Sequence, residues 1–285
     1  MNVRIVTDST ARFLSSAVQE LGITVVPLHI KIGDREYLDG IDLNEQEFFQ
    51  ILRKRGEKPS VLPPSVEDFA RVYEELHRTT GEIISIHLPE EFSGAVRNAR
   101  QAADMLLGRC KIEVIDSETI SLGLGILVEA AARATANGRS IDQVVRFVRG
   151  LIPQIYVVFF SENLNYLEHA SGIGQAQAFL GTMLGVKPLF TLEAGEIVPI
   201  EKVRTREHAI EKLIEFVAEF DGIKQIAIIK NAPNLTQETA YITEQLQVAF
   251  PGLEVAVMAY GPVLASFIGP EALGLVVYED PDFEV

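Results

Sequence analysis

Short runs rich in apolar residues punctuate the first half of the chain, each about as long as one strand. Residues 3–7, 82–88 and 111–116 are of this kind, with amphipathic stretches between them. At residues 44–55, Phe48, Ile51 and Leu52 fall on one helical face. Pro59, Pro63 and Pro64 predict an extended loop, after which Ser65 is placed to cap a helix carrying Glu67, Asp68 and Phe69 in its first turns. Further helices are predicted over 13–21, 122–137 and 141–151, and extended chain over 23–32, broken at Pro27. Strands rich in apolar residues, alternating with helices, predict a parallel sheet covered on both faces.

The second half reads differently. Strands predicted over 186–191 and 197–203 flank Glu193-Ala-Gly-Glu196, a hairpin turn. A strand at 155–160 precedes them, and helices over 206–220 and 235–250 alternate with strands at 225–229, 253–258 and 273–278. The expected class is therefore α/β in two domains. Residues 1–152 carry a parallel sheet flanked by helices, and residues 153–285 carry helices and a mixed sheet, with Pro153 at the boundary.

Composition narrows the functions available. A net charge of −15 argues against nucleic acid and anionic lipid surfaces, both of which need a basic face. Cys110 is the single cysteine, so neither an internal disulfide nor a Cys-rich metal site is possible. The five histidines show no metal-ligand spacing, and no G-x-S-x-G elbow or complete phosphate loop is present. His87, in a buried strand, reads as a satisfied core residue rather than a base. Apolar stretches are too short to span a bilayer, and the amino terminus runs straight into a strand, so a cytoplasmic protein is expected.

Candidate chemistry gathers at strand ends. The segment Ser85-Ile-His-Leu-Pro-Glu-Glu-Phe-Ser93-Gly94 reads as strand, loop and helix start, with Ser93 as N-cap. A helix start offers unpaired N–H groups and a partial positive charge, and Gly94 lets a ligand approach the backbone. Ser93 then either binds a head group or only caps the helix. Asp8-Ser9 and Asp116-Ser117 also end strands, either lining a common polar floor with Ser93 or making turns and caps. In Lys202-Val-Arg-Thr-Arg206, Arg204 either offers its planar fork to an anion or is a solvated strand end.

In order and spacing, several motifs together resemble the DegV family over nearly the whole chain. They are Val6-Thr-Asp-Ser-Thr10, Tyr37-Leu-Asp-Gly-Ile-Asp42, Phe92-Ser93-Gly94, Ile115-Asp-Ser117 with Ser121-Leu-Gly-Leu-Gly125, Gly185-Val-Lys-Pro-Leu189, Lys202-Val-Arg-Thr205 with Ala209, and Gly261-Pro-Val263 with Gly269-Pro270. The resemblance implies two α/β domains and a non-catalytic protein that holds a long-chain fatty acid such as palmitate in an apolar tunnel. It implies that the carboxylate sits at Ser93 near the domain interface and that a fatty acid kinase subunit is the partner. It implies no metal and no cofactor beyond the ligand. Phe92, Leu164, Leu180 and Leu184 are the apolar side chains expected to line the tunnel.

This chain departs from the family pattern at the head-group end. Val61 stands where a hydroxyl is usual, with Ser60 one position away; Phe267 replaces a histidine; Ala170-Ser-Gly172-Ile173 lacks an arginine. Pro89-Glu90 replaces a double serine, so that Glu90 and Glu91 put negative charge beside the Ser93 loop. Ser93, Gly94, Ser60, Val61, Arg204 and Phe267 are the expected ligand-binding set. Two other readings stand beside lipid binding: a ligand-poor interaction protein with Val61 and Phe267 plugging the site, and a phosphotransfer or hydrolytic enzyme using Asp8, Asp116 and Ser93.

Overall fold

The computed structural model describes residues 3–55, 58–167 and 186–279. The chain divides into two compact units, Met1–Pro153 and Gln154–Val285.

Strands β1 (Arg4–Asp8), β2 (Thr24–Val26), β6 (Glu82–His87) and β7 (Lys111–Asp116) of the first unit form a parallel sheet in the order β2-β1-β6-β7. Residues 83–87 of β6 are all fully buried, although alternate side chains of a strand point to opposite faces. Both faces must therefore be covered. Helices α3 (Val66–His77) and α5 (Ala95–Asp104) pack on one another and on β6, as do α6 (Leu122–Ala136) and α7 (Ile141–Leu151). Ser65 caps α3 as expected, its hydroxyl accepting from the Asp68 amide and Asp68 returning the bond to the Ser65 amide.

Where extended loops were expected, the first unit holds a second, antiparallel sheet. Strands β3 (His29–Ile32), β4 (Arg35–Leu38) and β5 (Pro59–Leu62) pair in the order β4-β3-β5. Pro59 is tolerated as the first residue of an outer strand, where its missing N–H costs no ladder bond. The helix expected over 13–21 shrinks to α1 (Ala17–Glu20), and α2 (Glu45–Arg55) buries Phe48, Phe49 and Leu52.

Among the described residues the second unit is a mixed sheet in the order β10-β9-β8-β13-β11-β12, from β8 (Ile155–Phe160), β9 (Lys187–Glu193), β10 (Glu196–Val203), β11 (Ile223–Lys230), β12 (Val255–Ala259) and β13 (Leu273–Glu279). Only β11 and β12 run parallel. Ala194 and Gly195 both take positive φ (49° and 80°) and close the β9–β10 hairpin. Helices Arg206–Ala218 and Gln237–Ala249 cover a core that includes Val158, Phe160, Leu213, Ile228 and Leu246.

Gly125, the last residue of the Ser121-Leu-Gly-Leu-Gly125 motif, has a packing role. A Cβ at this position would stand 1.7 Å from the backbone carbonyl oxygen of Arg12, so helix α6 meets the loop after β1 with no room for a methyl group. Gly125→Ala is expected to cost more than about 2 kcal/mol. Gly150→Ala, in α7 with open space around its Cβ, is expected to be neutral or to gain up to about 1 kcal/mol. Urea denaturation of the two variants checks this, and equal stability of both would contradict it.

Candidate functional site

The loop leaving β6 is held from both neighbouring strands. Asp8, at the end of β1, accepts the Leu88 N–H at 2.9 Å through Oδ2. Asp116, at the end of β7, accepts the Glu90 N–H at 3.1 Å. The Ser117 N–H reaches the His87 carbonyl at 3.0 Å. Pro89, lacking a donor, occupies the position between the two held amides. These strand-end carboxyls act as clamps on the loop. Ser117 makes the next turn, bonding the Thr119 carbonyl at 2.8 Å.

Asp8 is fully buried and uses both oxygens. Besides the Leu88 amide, Oδ2 meets Nδ1 of His87 at 3.0 Å, while Oδ1 accepts the Thr10 N–H at 3.0 Å and the Thr10 hydroxyl. His87 Nε2 lies 2.6 Å from Ser85 Oγ, which Tyr73 reaches with its hydroxyl at 2.8 Å. Burial pushes the Tyr73 phenol well above its ordinary range, so it keeps its proton and donates. The donors then run in one direction: Tyr73 to Ser85, Ser85 to His87, His87 to Asp8. Ser85, His87 and Asp8 have the composition of a hydrolytic triad, but each is fully buried. His87 is a core histidine, packed edge-on to Phe69 with ring centroids 5.0 Å apart.

A second buried carboxyl lies nearby. Burial raises Asp39 to about 6, against the opposing pull of Arg12 and a hydrogen bond from Ser9. Arg12 spends its guanidinium on the Ser9 carbonyl at 2.7 Å and on Glu45 at 3.3 Å.

Beyond the clamp, one helical turn, α4 (Glu90–Ser93), leads to Gly94 at φ +80° and then to α5. Ser93 therefore is not the N-cap that the sequence pattern predicts. Gly94 holds that position, and only glycine adopts its left-handed backbone without strain. Ser93 Oγ still accepts the Ala95 N–H, at 3.3 Å, and among the described residues its own hydrogen has no acceptor. Further into the same turn, the Arg97 N–H donates to Glu90 Oε2 at 2.7 Å. Asn98 Nδ2 donates to the Pro64 carbonyl at 2.9 Å, tying the exit of β5 to α5. On β5, Val61 pairs with Ile30 and is half-buried, while Ser60 pairs with Lys31 and is exposed.

Arg204 and Phe267 belong to the second unit. Arg204 is exposed between β10 and the helix at Arg206–Ala218. The arginine engaged structurally is Arg206, which pattern reading missed. It grips Glu238 with Nε at 2.5 Å and Nη2 at 3.1 Å, reaches Glu162 at 2.9 Å and lies 5.0 Å over the Phe160 ring. An arginine in the first turn of a helix opposes the helix dipole, and that placement was the available signal that it needs carboxylates. Phe267 is buried in the helix Pro262–Ile268. Phe92 is also buried. Leu180, Leu184, Gly185 and the Ala170–Ile173 departure lie outside the described residues, as does the side chain of Leu164.

None of the described helices is long and apolar enough to cross a membrane. Among the described residues no three His, Cys, Asp or Glu side chains group as metal ligands. These features define an α/β protein of two units, in which a clamped strand-end loop presents a serine hydroxyl at a helix start. The chain belongs to the DegV family, described as an uncharacterised protein family, whose model matches residues 2–280. It is 31% identical over 278 residues to protein DegV of Bacillus subtilis, covering 96% of this chain and 98% of that one. Among solved structures it resembles a DegV family protein from Thermus thermophilus described by its fatty acid binding (32% identity, TM-score 0.86, 98% and 100% of the two chains). It also resembles Bacillus subtilis DegV, a fatty acid binding protein (29% identity, TM-score 0.86, 98% and 100%).

Asp8→Ala would strand the His87, Leu88 and Thr10 donors in the core. A loss of about 3–5 kcal/mol in denaturant-measured stability is expected, and a loss below about 1 kcal/mol would contradict the clamp. For Asp39 the folded pKa lies above the unfolded value of 3.8, so its contribution to stability is fully present below about pH 4 and is lost as pH rises through about 6. Asp39→Asn should match the parent at pH 3.5 and exceed it by up to about 3 kcal/mol at pH 8. A pH-independent difference would refute this.

Proposed function

We propose that this protein binds a long-chain acyl ligand, a fatty acid such as palmitate, and holds it without transforming it. The proposed head-group position is Ser93 and Gly94, immediately before the first turn of α5. The observation that carries this reading is the state of Ser93: its oxygen is engaged by the Ala95 amide, which orients the hydroxyl, while its hydrogen has no acceptor among the described residues. The fatty acid binding of the relatives from Thermus thermophilus and Bacillus subtilis supports it.

Affinity in such a protein comes mainly from desolvating the chain, at about 0.8 kcal/mol per methylene. The head-group contact then chiefly sets orientation. On this reading the Val61 side chain, half-buried on β5, contributes apolar surface where a hydroxyl is usual in the family, and Ser60 is too exposed to replace it. In the second unit Arg204 is exposed, with its guanidinium open to an anion, and the buried Phe267 puts apolar bulk where the family usually has a histidine. Presentation of the ligand to a fatty acid kinase subunit is part of the proposal on family resemblance alone. The burial of Ser85 and His87 supports a binding role over a hydrolytic one.

Ser93→Ala is expected to weaken palmitate binding about ten- to a hundredfold, the equivalent of one hydrogen bond to a charged group. Its circular dichroism spectrum should not change. Isothermal titration, with native mass spectrometry of the purified protein for co-purified lipid, checks both parts. Unchanged affinity would remove Ser93 from the site, and an empty protein that takes up no added fatty acid would favour the ligand-poor reading.

A further inference from the structure

Glu90 places a carboxylate on the same helical turn as Ser93 and turns it toward the start of α5. Its Oε2 accepts the Arg97 N–H at 2.7 Å, the third amide of α5, a helix ten residues long. The group standing against Gly94 is the Arg97 guanidinium, with Nη2 2.5 Å from the point where a Cβ on Gly94 would be, and Glu90 Oε1 lies behind it at 3.9 Å. The Arg97 guanidinium is 3.6 Å from Oε1, but its side chain is 65% exposed, so solvent screens much of that pairing. Glu91, by contrast, is exposed.

The first-turn amides of a helix form a small set of donors with room for about one anion. In this chain two of them are already satisfied by side chains of the protein itself, Ala95 by Ser93 and Arg97 by Glu90, the second by a charged group. A fatty carboxylate arriving at Ser93 therefore finds the Arg97 amide taken and the Arg97 guanidinium, the nearest cation, already paired with Glu90. A head group with no charge, such as the hydroxyls of a monoacylglycerol, meets neither obstacle and can still accept from or donate to Ser93. We infer that Glu90 is a specificity-determining residue: an internal carboxylate that occupies the anion position at the start of α5 and shifts the preference of the Ser93 site from ionised acyl ligands toward uncharged ones. The inference rests on the placement of the acyl head group at Ser93 made above.

The test compares two probes with the same acyl chain, palmitate and 1-monopalmitoylglycerol, on the full chain. Glu90→Gln keeps an oxygen for the Arg97 amide and removes the charge, so the fold should be retained, as a melting curve will verify. Its affinity for palmitate should rise about tenfold, a modest factor for removing one unit charge at this range. Its affinity for monopalmitoylglycerol should move less than twofold. Glu91→Gln, which removes an equal charge from the exposed neighbouring position, should leave the ratio of the two affinities within twofold of the parent. Equal changes for both probes in Glu90→Gln, or the same gain in Glu91→Gln, would overturn the role of Glu90 while leaving lipid binding intact. Failure of the parent and of both variants to bind either probe would instead overturn the acyl-binding reading, and the role of Glu90 with it.

Discussion

The carboxyl group of Asp8 is where the first unit is tied together. It is fully enclosed, and it satisfies the Leu88 amide, the His87 ring and both Thr10 donors. A buried carboxyl is costly unless such donors surround it, and donors in a core are costly without an acceptor, so the group and its surroundings each require the other. Through His87 the requirement extends to Ser85 and Tyr73, and so to helix α3. Through Leu88 it extends to the loop that carries Ser93. Asp116 completes the arrangement from the opposite neighbour of β6.

Much of the fold was legible because several elements follow simple periodicities. The runs at Lys111–Asp116 and Ile155–Phe160 are strands over those residues, and the Ser65 capping box sits where the hydroxyl and Asp68 predict it. The β3–β4–β5 sheet was not legible. Its members are short, polar residues alternate through them, and the prolines at 27, 59, 63 and 64 look like loop punctuation. Only the ladder across β3 reveals that Pro59 opens a strand.

The site was legible in outline and not in its division of labour. Three hydroxyl-rich strand ends were visible, and all three do meet at one place. That Asp8 and Asp116 face the protein's own amides rather than a ligand depends on which groups lie opposite them across the sheet, and no linear spacing encodes that. The same holds for Arg204 and Arg206, two residues apart: Glu162 and Glu238, which engage the second of them, are distant in sequence. Ser93 was mistaken for the cap because an αL glycine after a one-turn helix has the same local sequence as a serine-capped start.

The loop is restrained through its backbone. Leu88 and Glu90 are clamped by their N–H groups, and Pro89 fills the position where no such group is required. The side chains on this loop are consequently unencumbered by the clamp, and substitutions there can alter what the site recognises without moving the frame that presents it. A family built on this loop can change ligands by drift at a few side chains, while proline at 88 or 90 stays barred to it.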